Sequence, residues 1–143
     1  MAGHLIRRLN QISTHVFLRR TQEAGFDLTP VQFAALAAIR AQPGLDQAGI
    51  AAKIAFDRAT IGGVVERLLK KGYVKRTISR HDRRAREIRL TSEGRSVYDQ
   101  ILPIAASLQA EILAGLDPDE RREFLRLARK AMQSTATADG KIG

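Results

Sequence analysis

A chain of 143 residues is the size of one domain, long enough to bury a core and too short for two independent ones. Hydrophobic residues make up 44% and aromatics 5%, and the absence of cysteine excludes disulfides, thiolate metal ligands and cysteine redox chemistry. The formal net charge is +9, and residues 67–89 alone contribute +8, which excludes a charge spread evenly over the surface.

Leu5, Leu9, Ile12 and Val16 recur at helical spacing, with Arg7, Arg8, Asn10, Gln11 and Thr14 between them, which predicts an amphipathic first helix ending near Ala24-Gly25. Arg7 and Arg8 interrupt any signal-like stretch there, and no run approaches the roughly 18 apolar residues of a membrane span, so a cytoplasmic location is expected. "LTPVQ" then supplies Thr29 as N-cap, Pro30 at the first helical position and Gln32 as capping-box partner. A second helix follows from Pro30 to about Gln42, closed by Pro43-Gly44. Asp46 caps a short third helix through Ile50 and Ile54; after a break at Ala55-Phe56, Asp57 caps a fourth that runs to Lys71, with Gly72 just beyond its end. The pair predicts a helix-turn-helix in which Ile50, Ile54, Ile61, Val65 and Leu68 share a core, leaving Arg58, Thr60, Gly62, Gly63 and Arg67 near or on the outer side.

Alternation over Val74–Ile78 and Glu87–Leu90 predicts two strands flanking "SRHDRRA", a hairpin with a long basic tip. Thr91 caps a long helix through Val97, Ile101, Ile104, Leu108 and Ile112 to Leu116, with a kink expected at Pro103. "LDPDE" repeats the helix-start signal at Asp117, Pro118 and Glu120. A last helix through Phe124, Leu127, Ala128 and Ala131 is predicted to fade into a disordered tail over 134–143. The fold class is therefore mainly α with a small β-hairpin wing, a winged helix-turn-helix in a single domain.

A helix in the major groove reads base edges with its N-terminal side chains, while a wing can insert arginine into the electronegative minor groove. Arg58 and Thr60 open the candidate recognition helix and Arg67 follows on it; Ser79, Arg83, Arg84 and Arg86 belong to the wing, and Asp82 is expected to steady a neighbouring arginine. As a set, "DRATIGGVVERLLKKGYVKR", "DRRAREIRLTSEG" and "LTPVQFAAL" resemble the MarR family of winged-helix transcription regulators over nearly the whole chain. That resemblance implies a homodimer on a near-palindromic double-stranded operator, with residues 30–91 as the DNA-binding lobe and the helices of 1–28 and 103–133 as the dimerisation region. It implies DNA contacts at Arg58, Thr60, Gly62 and Gly63, with Arg84 in the minor groove and Asp82 holding the wing. The glycines depart from the longer polar side chains that family members often carry there, so specificity rests more on Arg58, Thr60 and DNA shape, unless the glycines serve close helix packing.

The resemblance further implies release from DNA by a small aromatic or phenolic carboxylate. His15 and Arg19, one helical turn apart, are candidates to address the carboxylate, with Phe17 and Phe33 as an apolar wall; a surface or dimer-interface pair is the plainer reading. His4, His15 and His81 are too widely separated to suggest a metal site, and no phosphate-cradling glycine loop, nucleophile elbow or catalytic carboxylate pair is evident, so neither an enzyme nor a cofactor is expected. The rival classes are a nonspecific or architectural nucleic-acid binder without an effector and an interaction module whose wing meets an acidic protein.

Overall fold

The computed structural model describes residues 1–54, 56–83 and 86–142, with side chains through Ser134. The chain divides into two compact units, Met1–Leu108 and Gln109–Gly143. The first holds α1 (Ala2–Glu23), α2 (Pro30–Ala41), α3 (Gln47–Ile54), α4 (Arg58–Lys70), β1 (Val74–Ile78), β2 (Arg86–Leu90) and most of α5 (Ser92–Ile112).

Helix starts follow the capping residues of the sequence. The Thr29 hydroxyl accepts from the Gln32 N–H at 3.2 Å while the Gln32 side chain accepts from the Thr29 N–H at 3.2 Å, a complete capping box. Asp46 accepts from the Gly49 N–H at 2.7 Å at the head of α3, and Asp57 from the Thr60 N–H at 2.8 Å at the head of α4. At the far end of α4, Gly72 takes φ +78°, the left-handed conformation that lets the chain leave the helix at once for β1.

The core of this unit is the convergence of apolar stripes. Ile61, Val64, Val65 and Leu68, spaced i, i+3, i+4, i+7, turn one face of α4 inward against Ile50 and Ala51 of α3 and Leu36 and Ile39 of α2. Each aliphatic side chain so removed from water contributes about 1.5–3 kcal/mol, and together they fix how α4 sits on α3. Lys71 ties the exit of α4 to the entry of α2: its ammonium donates to Gln32 Oε1 at 3.2 Å and to the Asp27 carbonyl, and pairs with the Asp27 carboxylate.

The wing is antiparallel, with Val74 opposite Leu90 and Ile78 opposite Arg86. It is also held on its other edge. Ile88 donates to the Leu45 carbonyl at 2.9 Å and accepts from the Gly44 N–H at 3.2 Å, a single bridge that anchors β2 to the segment between α2 and α3. The predicted two-stranded hairpin thus has a third, one-residue edge, and β2 begins at Arg86, one residue earlier than its alternation indicates. Beyond β2, Thr91 caps α5 by accepting from the Gly94 N–H at 3.0 Å, and its hydroxyl donates to the Gly72 carbonyl at 2.6 Å.

α5 contains Pro103 without ending there, and stops at Ile112 rather than Leu116. Gly115 lowers the propensity to continue and the Asp117 start signal reorients the chain, so a turn closed by the Leu116 N–H donating to Leu113 O at 3.0 Å replaces the last predicted turn.

In the second unit, α6 (Pro118–Ile142) opens with a reciprocal box, Asp117 N–H to Glu120 Oε1 at 3.0 Å and Glu120 N–H to Asp117 Oδ1 at 2.8 Å. Its backbone stays helical to Ile142, where the composition of 134–143 suggests a disordered tail. The Ser, Thr and Gly of that stretch each cost under about 1 kcal/mol, and with no proline they do not stop a helix already propagating. No described side chain of α6 is buried, and Leu127 and Met132 are exposed.

Candidate nucleic-acid interface

The core-facing stripe of α4 dictates what its opposite face presents: Arg58, Ala59, Thr60, Gly63, Glu66, Arg67 and Lys70 are all exposed. The two ends of this face differ in freedom. Thr60 is held twice by the cap, its N–H and its hydroxyl each donating to Asp57 at 2.8 Å. The Thr60 N–H first and its hydroxyl second hold the Asp57 carboxyl below the usual carboxylate range, which keeps the cap charged at the positive end of the helix. Arg58 stands beside this fixed cap and Arg67 in the last turn at the other end of α4, both as exposed cations.

The adjacent glycines, which look alike in the sequence, occupy different surroundings. A Cβ on Gly63 meets nothing within 4 Å, so the middle of the exposed face is bare backbone. A Cβ on Gly62 would lie 3.2 Å from the amide nitrogen of Gln47, the first residue of α3, which therefore rests across α4 where a longer residue would put its own side chain. A side chain at 62 would press on Gln47, whereas one at 63 would meet open space.

In the wing, Ser79 is 9% exposed and works inward. Its hydroxyl oxygen accepts from the N–H groups of His81 at 3.2 Å and Asp82 at 3.4 Å, closing the first bend of the tip. Arg89, whose guanidinium lies 3.0 Å from Glu87, lowers the Glu87 carboxyl foremost, with Ser79 adding a hydrogen bond. Ser79, predicted to face DNA, is thus an internal brace of the wing. Asp82 sits on the same bend, while Arg80, His81, Arg83 and Arg86 are exposed; Arg84 lies outside the described residues.

Between α4 and the wing opens a cleft of about 580 Å³, lined by Gln47, Gly62, Glu66, Arg76, Arg86 and Ile88 among others. Arg76 and Glu66 pair across it at 3.0 Å. Arg58, Thr60 and Arg67 thus fall on α4, and Arg83 and Arg86 on the wing, of one unit. Gln47 and Arg76 are additional; the only mark of Gln47 in the sequence is its place directly after the Asp46 cap.

The four candidate ligand residues do not converge. Phe17 is buried, its ring centroid 5.8 Å from that of Phe33, and Phe33 in turn stacks on Tyr98 of α5 at 5.4 Å and 15°. Arg40 lies over the Tyr98 ring at 5.7 Å and pairs with Asp99 at 3.2 Å. His15 and Arg19 are exposed, about 200° around α1 from Phe17 by helical geometry, on the side away from these rings. Sequence reasoning missed Tyr98 and Arg40 because they come from α5 and α2 and meet only in the fold.

Residues 26–85 match the MarR family. Over 133 residues the chain is 33% identical to the transcriptional regulator HosA of Escherichia coli, spanning 93% of this chain and 96% of HosA. Among solved structures it is similar to the Bordetella bronchiseptica regulator BpsR, whose DNA binding is regulated by 6-hydroxynicotinic acid, with a TM-score of 0.83 and 31% identity over 92% of this chain and 93% of BpsR. It is also similar to the transcriptional repressor CouR bound to a 23-mer DNA duplex, with a TM-score of 0.79 and 28% identity over 94% and 92% of the two chains.

Proposed function

This chain belongs to the MarR family of winged-helix transcriptional regulators, and we propose that within it the protein is a homodimeric repressor of a near-palindromic operator, released by a small aromatic carboxylate. The observation that carries the reading is the pairing of two exposed elements in one unit, a capped helix edged by Arg58, Thr60 and Arg67 and a wing bearing Arg83 and Arg86. A helix of that kind fills a major groove, and guanidinium groups displaced to one side reach phosphates or the adjacent minor groove. Arg84 joins the wing contacts, Ser79 and Asp82 shape the bend that presents them, and Gly63 lets the helix backbone approach the bases closely.

Dimerisation is supported by what a single chain leaves uncovered. Of the α1 stripe only Val16 is buried, while Leu5 and Ile12 stay 60% and 43% exposed, and α6 has no buried side chain among its described residues. A helix without a buried face gains little from folding alone, so a second copy is the natural cover. Two-fold symmetry then sets two half-sites about 10 bp apart.

For the effector, Phe33 and Tyr98 offer an aromatic surface with the Arg40 cation beside it. The Arg40–Asp99 pair is solvent-exposed, hence weak, and a ligand carboxylate can compete for the guanidinium. Phe17 backs Phe33; His15 and Arg19, on the outer side of α1, serve such a ligand only where the second copy brings them to it.

Selection from a random duplex library, followed by competition with unrelated DNA at rising salt, tests the reading. A repressor retains a palindromic preference as nonspecific contacts weaken; equal competition by every duplex would leave a nonspecific or architectural binder instead.

A further inference from the structure

We infer that Gln47, on the helix preceding the recognition helix, reads a base edge in the operator, and that Gly62 is glycine in order to seat it. The inference rests on the DNA-binding reading above and extends it to a residue outside the recognition helix and the wing.

Three observations converge on Gln47. The first is position: its amide lies 3.2 Å from the site a Cβ on Gly62 would take, so the side chain lies over α4 within the cleft that separates α4 from the wing. The second is availability, since its carboxamide makes no hydrogen bond to protein among the described residues, although the residue is half-buried. Both its donor and its acceptor are left for a ligand. The third is the chemistry of the cleft, whose lining holds Arg76 and Arg86 together with Asp46 and Glu66, Arg76 pairing with Glu66 at 3.0 Å.

Two carboxylates beside two guanidinium groups make a poor seat for a phosphate, which wants uncompensated positive charge. An edge carrying both a donor and an acceptor suits it better. A carboxamide matches the N6 donor and N7 acceptor of adenine in the major groove, and the recognition helix brings that groove to the mouth of the cleft. The glycine at 62 suits this arrangement: a Cβ there would stand 3.2 Å from the Gln47 amide nitrogen and push it by a few tenths of an ångström, while the empty neighbour at 63 leaves the bases unobstructed. Readout is thus supplied by α3 at the level where the recognition helix itself carries no side chain.

The test is a double-mutant cycle on the full-length protein, with operator binding, binding to unrelated duplex, and thermal melting measured for the parent, Gln47→Ala, Gly62→Ala and the double variant. Gln47→Ala is expected to lose roughly 5- to 100-fold in operator affinity, with relaxed preference at one base pair per half-site and unchanged affinity for unrelated duplex. Gly62→Ala should give part of that loss by pushing the amide out of register while melting no lower than the parent, and the double variant should be no worse than Gln47→Ala alone. The inference is overturned if Gln47→Ala binds as the parent does, if the loss is the same on every duplex, as a phosphate contact would give, or if the two single losses add. A parent that selects no sequence would sink the regulator reading as well; one that selects an operator indifferent to Gln47 would sink this inference alone.

Discussion

Changing Gly94 to alanine should destabilise the protein by about 2–4 kcal/mol, whereas the same change at Gly63 should stabilise it. A Cβ on Gly94 would stand 1.9 Å from the Tyr73 carbonyl oxygen, 2.7 Å from its carbon and 2.9 Å from the Tyr73 Cα. All three are backbone atoms, so no rotamer relieves the clash, and the two segments must part by about 1.5 Å to reach ordinary contact near 3.4 Å. That separation breaks the two ties made at the same crossing, Thr91 N–H to Tyr73 O at 3.0 Å and Thr91 hydroxyl to Gly72 O at 2.6 Å. At about 1 kcal/mol for each bond disrupted, plus overpacking strain of about 1–3 kcal/mol, the loss exceeds the roughly 1 kcal/mol that alanine offers a helix over glycine. Gly63 faces open space, so there the propensity gain of about 0.5–1 kcal/mol stands alone. Circular-dichroism melting should place Gly94→Ala about 5–15 °C below the parent and Gly63→Ala slightly above it. A Gly94→Ala protein as stable as the parent, or a Gly63→Ala protein equally weakened, would refute the packing account of both glycines.

Arg83→Ala and Arg86→Ala should each weaken binding to any duplex and reduce the salt slope by about 1, read from affinity titrations across ionic strength; an unchanged slope removes that residue from the interface. Arg84→Ala should cost about 1–3 kcal/mol of operator affinity and flatten any A/T preference at the flanks, as a minor-groove contact requires, and full parental affinity would contradict it. Asp57→Asn keeps a cap acceptor and removes the charge. Because the folded carboxyl titrates below its ordinary value of 3.8, its stabilisation is present above that value and lost as pH falls through the lower folded one, so the melting gap between parent and variant should be open at pH 7 and close in acid. Calorimetry with a panel of aromatic acids should register heats for the parent that Phe33→Ala and Arg40→Ala diminish; heats lost instead in His15→Ala and Arg19→Ala would move the ligand to the outer side of α1.

Local physics made most of the elements legible. Thr29, Asp46, Asp57, Thr91 and Asp117 each cap the helix that the sequence assigns to them, because a short side-chain oxygen answering an unpaired N–H depends on residues only two or three positions away. The basic wing was legible for a similar reason, as charge and alternation are properties of a contiguous stretch. Propensity is the weaker guide where its increments are small, and so the helix ends at Ile112 and Ile142 fell elsewhere than predicted.

The sequence alone determined which segments are helices, which is the wing, and that positive charge is concentrated beside a helix-turn-helix. Only the tertiary structure decided that Gly62 yields to Gln47 while Gly63 faces open space, that Ser79 turns inward, that Leu45 borders β2, and that Phe33 meets Tyr98 and Arg40 rather than His15 and Arg19. Each of these depends on distances between residues far apart in the chain, or on the side to which a short turn points. Such distances are set by how the apolar faces of α2, α3, α4 and α5 pack together, a collective balance that no single stretch of sequence contains.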